Sequence, residues 1–278
     1  MRIANINDRL VLVIDNTAID VEHASAGRFG SNPQAVYAHW DDFVEWAETV
    51  GAGNSASFDP TEAGPPVPRP PQVFAIGLNY RDHAAEADLE LPTEPIVFAK
   101  FPSSITGPHA DVHIPTAMID FEVELVAVIA HRLHHADRDT AIAGIAGYTV
   151  GQDFSDRELQ WSGQTPQFSL GKSLPGFSPI GPVVVTPDEL EGAVSLTITC
   201  DVSGDLLQNG NTRNLIFDVP ELIVRLTRTV VLQPGDLIFT GTPAGVGAVR
   251  KPPRFLLDGD VVTSEIAGIG RMRHRMMS

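Results

Sequence analysis

Ile119-Asp120-Phe121-Glu122-Val123-Glu124-Leu125-Val126-Ala127-Val128-Ile129-Ala130 carries a carboxylate at every second position and then runs into six unbroken apolar residues. Successive side chains of a strand point to opposite faces. Asp120, Glu122 and Glu124 therefore share one face, and Phe121, Val123 and Leu125 the other. Leu125 to Ala130 has no polar face, which marks a strand buried on both sides. Carboxylates leading into such a strand either form a solvated acidic face or meet at a buried site. Side by side they repel unless something neutralises them, and a hard divalent cation with oxygen ligands does that well. On spacing alone both readings stand.

Working outward, Val73 to Gly77 reads as a second strand buried on both faces. Val183 to Val185, Leu196 to Val202, Leu237 to Phe239 and Val261-Val262 add more. Pro234-Gly235-Asp236 and Asp258-Gly259-Asp260 suit turns between them. The clearest helix starts at Asp218, with Glu221 three residues on as in a capping box, and carries Val219, Leu222, Ile223 and Leu226 on one face. Strands and helices do not alternate regularly, so the pattern predicts an α+β fold. The first fifty residues read as a small unit. Its short strands, Ile3 to Ile6, Leu10 to Ile14 and Ala18 to Val21, are split by Asn7-Asp8 and Asp15-Asn16. A helix carrying Phe43, Trp46, Ala47 and Val50 follows, capped by Asp41 or Asp42 and stopped at Gly51. The proline-rich stretch Ala63 to Pro71 is a stiff connector, which divides the chain into a small N-terminal unit, residues 1–65, and a larger catalytic unit, 66–278.

The 278 residues hold 19 Lys and Arg against 35 Asp and Glu, a formal charge of −16. Such a field repels nucleic acid and anionic membranes, so neither is expected as a partner. It also suits an anionic substrate poorly unless a bound cation inverts the local potential. The lone cysteine, Cys200, falls on the buried face of a strand and permits neither a disulfide within the chain nor a thiolate zinc cage. The N-terminus lacks the long apolar stretch of a signal peptide, and no apolar run is long enough for a transmembrane helix, so a cytoplasmic chain is expected.

Three further segments carry reactive side chains. In Gly151-Gln152-Asp153 to Gln160, the residues Asp153, Arg157 and Gln160 share a face if the segment is helical. That is either an ordinary salt-bridged surface or a place where a cation and carboxylate-binding groups meet one ligand. In Asn79-Tyr80-Arg81-Asp82-His83-Ala84-Ala85-Glu86, a helical turn puts His83 within reach of Glu86, which can orient the ring and raise its basicity. Lysines are sparse, and Lys172, in Gly171-Lys172-Ser173, can stabilise a developing oxyanion if its surroundings are partly dry. Thr240-Gly241-Thr242-Pro243-Ala244-Gly245-Val246-Gly247 is glycine-rich but lacks both the G-K-[ST] ending and G-x-G-x-x-G, so it is not read as a nucleotide loop.

Taken in order, these segments resemble the fumarylacetoacetate hydrolase family over about Val73 to Gly270. The resemblance rests on Gly77-Leu78-Asn79-Tyr80 with His83 and Glu86, Phe98-Ala99-Lys100-Phe101-Pro102-Ser103-Ser104, and Asp120 to Leu125. It extends through Asp153 with Arg157 and Gln160, Gly171-Lys172-Ser173, Pro234 to Ile238, and Thr240 to Gly247. Two places depart from the family pattern: Pro175, where members often have an acidic residue, and Ser203-Gly204-Asp205, where they often have Asn-Gly.

The resemblance implies a strand-rich mixed β-roll, typically in homodimers. It implies Glu122, Glu124 and Asp153 as ligands of magnesium or manganese (calcium in some members), and a small 2-oxo acid as substrate. His83 and Glu86 would activate water on a segment that orders over the site. Lys172 would stabilise oxyanion charge, Arg157 and Gln160 would contact substrate, and Thr242 would help hold its carboxylate. The implied reaction is hydrolysis of a C–C bond in an acylpyruvate or related β-diketo acid through a metal-stabilised enolate. An oxaloacetate-type decarboxylase, or an isomerase or hydratase of a 2-oxo dienoate, is the alternative on the same scaffold.

Overall fold

The computed structural model describes residues 1–51 and 56–278. Its first strands, β1 (Arg2–Ile6), β2 (Arg9–Ile14) and β3 (Thr17–Asp20), are joined by two-residue turns. Asn7, Asp8, Asp15 and Asn16 all take positive φ, as type I′ hairpins require, and Asn and Asp tolerate that conformation best among residues with a side chain. Helix α1 (Trp40–Ala47) starts one to two residues before the expected cap. Asp41 and Asp42 lie in its first turn, and His39 occupies the cap position without a side-chain bond.

The strands of 1–65 continue a sheet begun elsewhere. Strand β4 is Val73–Gly77, β5 Ile96–Ala99, β6 Val123–Ile129, β7 Ile145–Gln152, β8 Ser178–Val185 and, later in the chain, β11 Leu237–Phe239. Together they form a twelve-stranded mixed sheet in the order β3-β2-β1-β8-β7-β6-β11-β4-β5, with short strands at its margins. β1 pairs antiparallel with β8, Arg2 opposite Val185, so the sheet crosses the connector between residues 63 and 71. A second sheet of five strands contains β9 (Thr197–Val202), β10 (Asp205–Asn211), β12 (Val261–Ile266) and β13 (Gly270–Met277). This is the strand-rich α+β architecture expected from the sequence.

β6 lies between two cores, which explains its continuous apolar run. Val123, Leu125, Ala127 and Ile129 pack into one with Ile198, Cys200 and Met272 of the second sheet. Val126 and Val128 pack into the other with Phe43, Val73 and Phe239. The period of two thus survives with both faces apolar. The helix predicted at Asp218 is α5 here (Val219–Leu226), with its four apolar residues buried and the Asp218 carboxylate accepting the Glu221 N–H at 2.9 Å.

The decisive stretch departs from expectation in one respect. Ile119–Asp120 forms a separate two-residue strand paired with Ser155–Asp156, Phe121 and Glu122 leave the strand conformation, and β6 begins only at Val123. Asp120 fills its own need for partners by capping the backbone, accepting the Phe121 N–H at 2.9 Å and the Gly247 N–H at 2.7 Å. Asp153 likewise is not helical: it follows the end of β7, and the only helix there is the short α3 (Arg157–Gln160), capped by Asp156. The helical face on which Asp153, Arg157 and Gln160 would align is therefore not formed, and the end of β7 places Asp153.

Candidate metal centre

Neighbouring antiparallel strands deliver the acidic residues to one point. Glu124 lies on β6 opposite Gly151 of β7, and Asp153 follows β7 by one residue, its N–H bonded to the Glu122 carbonyl at 2.9 Å. Gln152 fixes the irregular turn by accepting the Glu122 N–H at 2.8 Å and donating to Ser264 at 3.0 Å. Glu122, Glu124 and Asp153 are buried, and each offers an oxygen within 4.8 Å of those of the other two.

Cations surround this cluster. Lys172 stands just past the short helix α4 (Phe168–Gly171) and donates at 2.7 Å to each of Glu122, Asp153 and Ser155. Arg157 donates to Asp120 through Nε and Nη2 at 3.0 and 2.7 Å, to Gln160 at 2.9 Å, and also to Glu122. Lys100, which no sequence pattern marks for a role, donates to Asp153 and to the Lys172 carbonyl. Burial works against ionised Glu122, but Lys172 and Arg157 outweigh it and hold that carboxyl below its ordinary range. Glu124 has no such partner, and burial, then Asp153 and Glu122, push it well above.

Four buried carboxylates thus face three cations, and the uncompensated charge sits on Glu124. A hard divalent ion fits that deficit, and three carboxylate oxygens are the donors such an ion takes. Soft, thiol-seeking metals are poorly matched, since Cys200 is buried in the core.

The glycine-rich loop after β11 ties these parts together. Gly241 donates its N–H to Glu124 at 2.7 Å, Gly245 to Glu86 at 2.8 Å, and Gly247 and Ala248 to Asp120 at 2.7 and 3.1 Å. Its glycines are needed where the backbone is pressed: a Cβ on Gly245 (φ +105°) would lie 2.1 Å from the Leu207 carbonyl oxygen, and one on Gly247 2.0 Å from that of Arg254. From the sequence, this loop lacks nucleotide signatures, and the family resemblance implies a role for Thr242 alone. Its actual work, N–H donation to three carboxylates, leaves no side-chain signal.

His83 and Glu86 lie on helix α2 (Arg81–Glu86), as predicted, with Nδ1 and Oε2 3.8 Å apart. That exceeds a hydrogen bond. His83 Nδ1 is buried and has no hydrogen-bond partner among the described residues, while the same Glu86 oxygen accepts from Gly245. Buried Asn79 fixes the start of this segment, donating to the Phe217 and Thr240 carbonyls at 3.0 and 2.8 Å. The Tyr80 hydroxyl is likewise buried without a partner among the described residues; burial, then the charges of Glu124 and Asp82, keep it protonated. Gln160 Oε1 accepts from Arg157 at 2.9 Å, and the Thr242 hydroxyl donates to the Val123 carbonyl at 2.9 Å and accepts from Gln208 at 2.8 Å.

With this geometry in view, comparisons with known proteins converge on one family. The family model described as fumarylacetoacetate (FAA) hydrolase C-terminal matches residues 72–277. The bovine protein named oxaloacetate tautomerase FAHD2B, mitochondrial, is 44% identical over 207 residues, covering 74% of this chain and 66% of that protein, just under two thirds of its length. A Mycobacterium smegmatis crystal structure, provisionally described as an HpcE protein, superposes with a TM-score of 0.95 at 47% identity over 100% of this chain and 99% of that one. Maleylpyruvate hydrolase from Sphingobium sp. SYK-6, solved with manganese(II) and pyruvate, gives 0.79 at 25% identity, over 100% and 99%.

Proposed function

The chain belongs to the fumarylacetoacetate hydrolase family, and from that premise we propose that it is a divalent-metal-dependent hydrolase cleaving a C–C bond in an acylpyruvate or related β-diketo acid. The observation that carries this reading is the joint anchoring of a buried three-carboxylate cluster and a His–Glu pair to one loop, through Gly241 and Gly245. Glu122, Glu124 and Asp153 would hold magnesium or manganese, which when bound supplies Lewis-acid stabilisation of enolate charge on a chelating 2-oxo acid. The manganese and pyruvate bound to the Sphingobium relative support that pairing of ion and ligand.

The chain's own side chains supply the rest. His83 would take a proton from water at Nε2, and Glu86, 3.8 Å from Nδ1, would hold the imidazolium that results. Lys172 presents its ammonium to oxyanion charge at the cluster. Arg157 acts by fixing Asp120 and Glu122. The family's homodimer is part of this proposal.

A second reading, tautomerisation of oxaloacetate, is favoured by the names of the relatives at 42–44% identity. It needs the enolate and a proton shuttle but no attack by water. An ultraviolet assay with acetylpyruvate and oxaloacetate, in magnesium or manganese and then in chelator, separates the two. Chelator-sensitive release of pyruvate and acetate, abolished in H83A with metal binding intact, is the expected result. Enol–keto conversion of oxaloacetate without cleavage of acetylpyruvate would transfer the function to the tautomerase reading.

A further inference from the structure

Lys100 is a buried lysine for which the proposed reaction has no use; burial pushes its pKa down, and the Asp153 carboxylate beside it pulls the other way. It is one of three lysines in the chain and only 1% exposed. It stands immediately past β5, two residues beyond Phe98 and therefore on the same face, and the Phe98 ring centroid lies 5.5 Å from Lys172 Nζ. Lys100 Nζ donates to Asp153 Oδ1 and to the Lys172 carbonyl, with the Phe177 carbonyl at 3.3 Å. The ammonium has three protons, and here each has an acceptor. Two of the acceptors close the loop that runs from Lys172 to Phe177, and the third is a carboxylate whose other oxygen accepts from Lys172 Nζ at 2.7 Å. A position that only needed filling would take an apolar side chain with no desolvation to offset.

We propose that Lys100 is a positioning residue of the metal site: one ammonium locks Asp153 Oδ1 and the Lys172 main chain together, so that ligand carboxylate and oxyanion-binding lysine hold a fixed relation. This rests on the reading of Glu122, Glu124 and Asp153 as a metal centre. Without Lys100, Asp153 is free to turn either oxygen to Lys172, and the loop carrying Lys172 loses the tie across its ends. Lys100 touches neither substrate nor ion in this role. It acts through Asp153 and Lys172.

The sign of the effect separates this role from its rivals. Removing a positive charge from beside three carboxylates would, by Coulomb attraction alone, tighten a cation. Loss of positioning loosens it. A lysine that only supports the fold would lower thermal stability and leave affinity unchanged.

The test is calorimetric titration of Mn²⁺ alone into the full chain and into K100M, with circular dichroism and a thermal melt as controls on folding. Folded K100M is expected to bind at least about tenfold more weakly, the scale of losing a partner that orients a ligand. Should K100M fail to fold, K100R carries the test. Its forked head keeps the charge but cannot place one nitrogen among three acceptors, so the same weakening is expected. Affinity equal to or tighter than the parent's in a folded variant overturns the proposal while leaving the metal centre standing. A parent that binds no Mn²⁺ overturns both.

Discussion

Asp120 began as the third carboxylate on one face of a strand, and replacing it with asparagine decides whether it is a ligand or a brace. Oδ1 accepts from the Phe121 and Gly247 N–H groups, and Oδ2 from Arg157 Nε, Arg157 Nη2 and Ala248. Asparagine offers one oxygen and turns an NH₂ toward the other set of donors, so either two backbone donors or the guanidinium are left unmet. Breaking one partner of a buried ion pair costs about 3–5 kcal/mol. Arg157 keeps Glu122, which argues for the lower end, about 3 kcal/mol. In a chain somewhat longer than 250 residues, where 1 kcal/mol moves Tm by about 2–4 °C, D120N should melt roughly 6–12 °C below the parent. The assay is scanning fluorimetry in chelator, with Mn²⁺ titration alongside. Affinity should change far less than stability, because Asp120 is outside the triad. A melting point within about 2 °C of the parent, combined with abolished Mn²⁺ binding, would refute the brace and make Asp120 a ligand.

In E124Q the amide oxygen can keep the Gly241 bond while the charge that burial, Asp153 and Glu122 oppose is removed. Mn²⁺ affinity should fall by more than about 100-fold, beyond the loss from disturbing a ligand's partner, while Tm in chelator stays level or rises. A lower Tm in chelator would count against the charge reading. His274 is buried with Nδ1 donating to the Ala110 carbonyl at 2.9 Å, and burial pushes it down to about 4. Between pH 6.5 and about 4 the unfolded chain therefore holds a proton that the folded chain does not, so this stabilisation is complete above about 6.5 and lost as pH falls through 4. The advantage of the parent over H274N in urea unfolding should shrink by about 2 kcal/mol between pH 7.5 and pH 5. Burial pushes Asp236 up to about 6 and acts in the opposite sense over part of this range, so only the difference between variant and parent reports on His274. A difference independent of pH would show that His274 binds its proton equally in the folded and unfolded chains, and would refute the lowering by burial.

What the sequence disclosed follows the range of each signal. The Asn-Asp and Asp-Asn hairpins, the Asp218 cap and the period of two in β6 are set by neighbours within a few residues, and all appear in the structure. The reactive residues could be picked out because ionisable groups beside apolar runs are conspicuous. Their partners could not. Arg157 meets Asp120 across 37 positions, Lys100 meets Asp153 across 53, and Gly241 meets Glu124 across 117. No periodicity spans such distances, so Arg157 read as a substrate contact and Lys100 as an unassigned lysine. The Asp153 segment shows the same limit: i, i+4, i+7 spacing puts Asp153, Arg157 and Gln160 on one face only if the segment is helical, and two-residue pairing of Ser155–Asp156 with Ile119–Asp120 decides its path.

Charge joins the composition of the chain to the chemistry proposed for its site. A protein of net −16 should turn away a small anion, and the cluster itself carries one more carboxylate than cations. Reversing the sign with another buried lysine or arginine would neutralise Glu124 but leave nothing to attract a 2-oxo acid. A divalent ion does both, since it covers the single excess charge and leaves one positive charge for a monocarboxylate. The three internal cations therefore have a second consequence. By pairing with Asp120, Glu122 and Asp153 they keep the site from becoming so negative that ion and substrate together could not balance it. On this argument the number of buried cations is matched to the charge of the substrate. A second carboxylate at the far end of the substrate would have to find its partner outside the cluster.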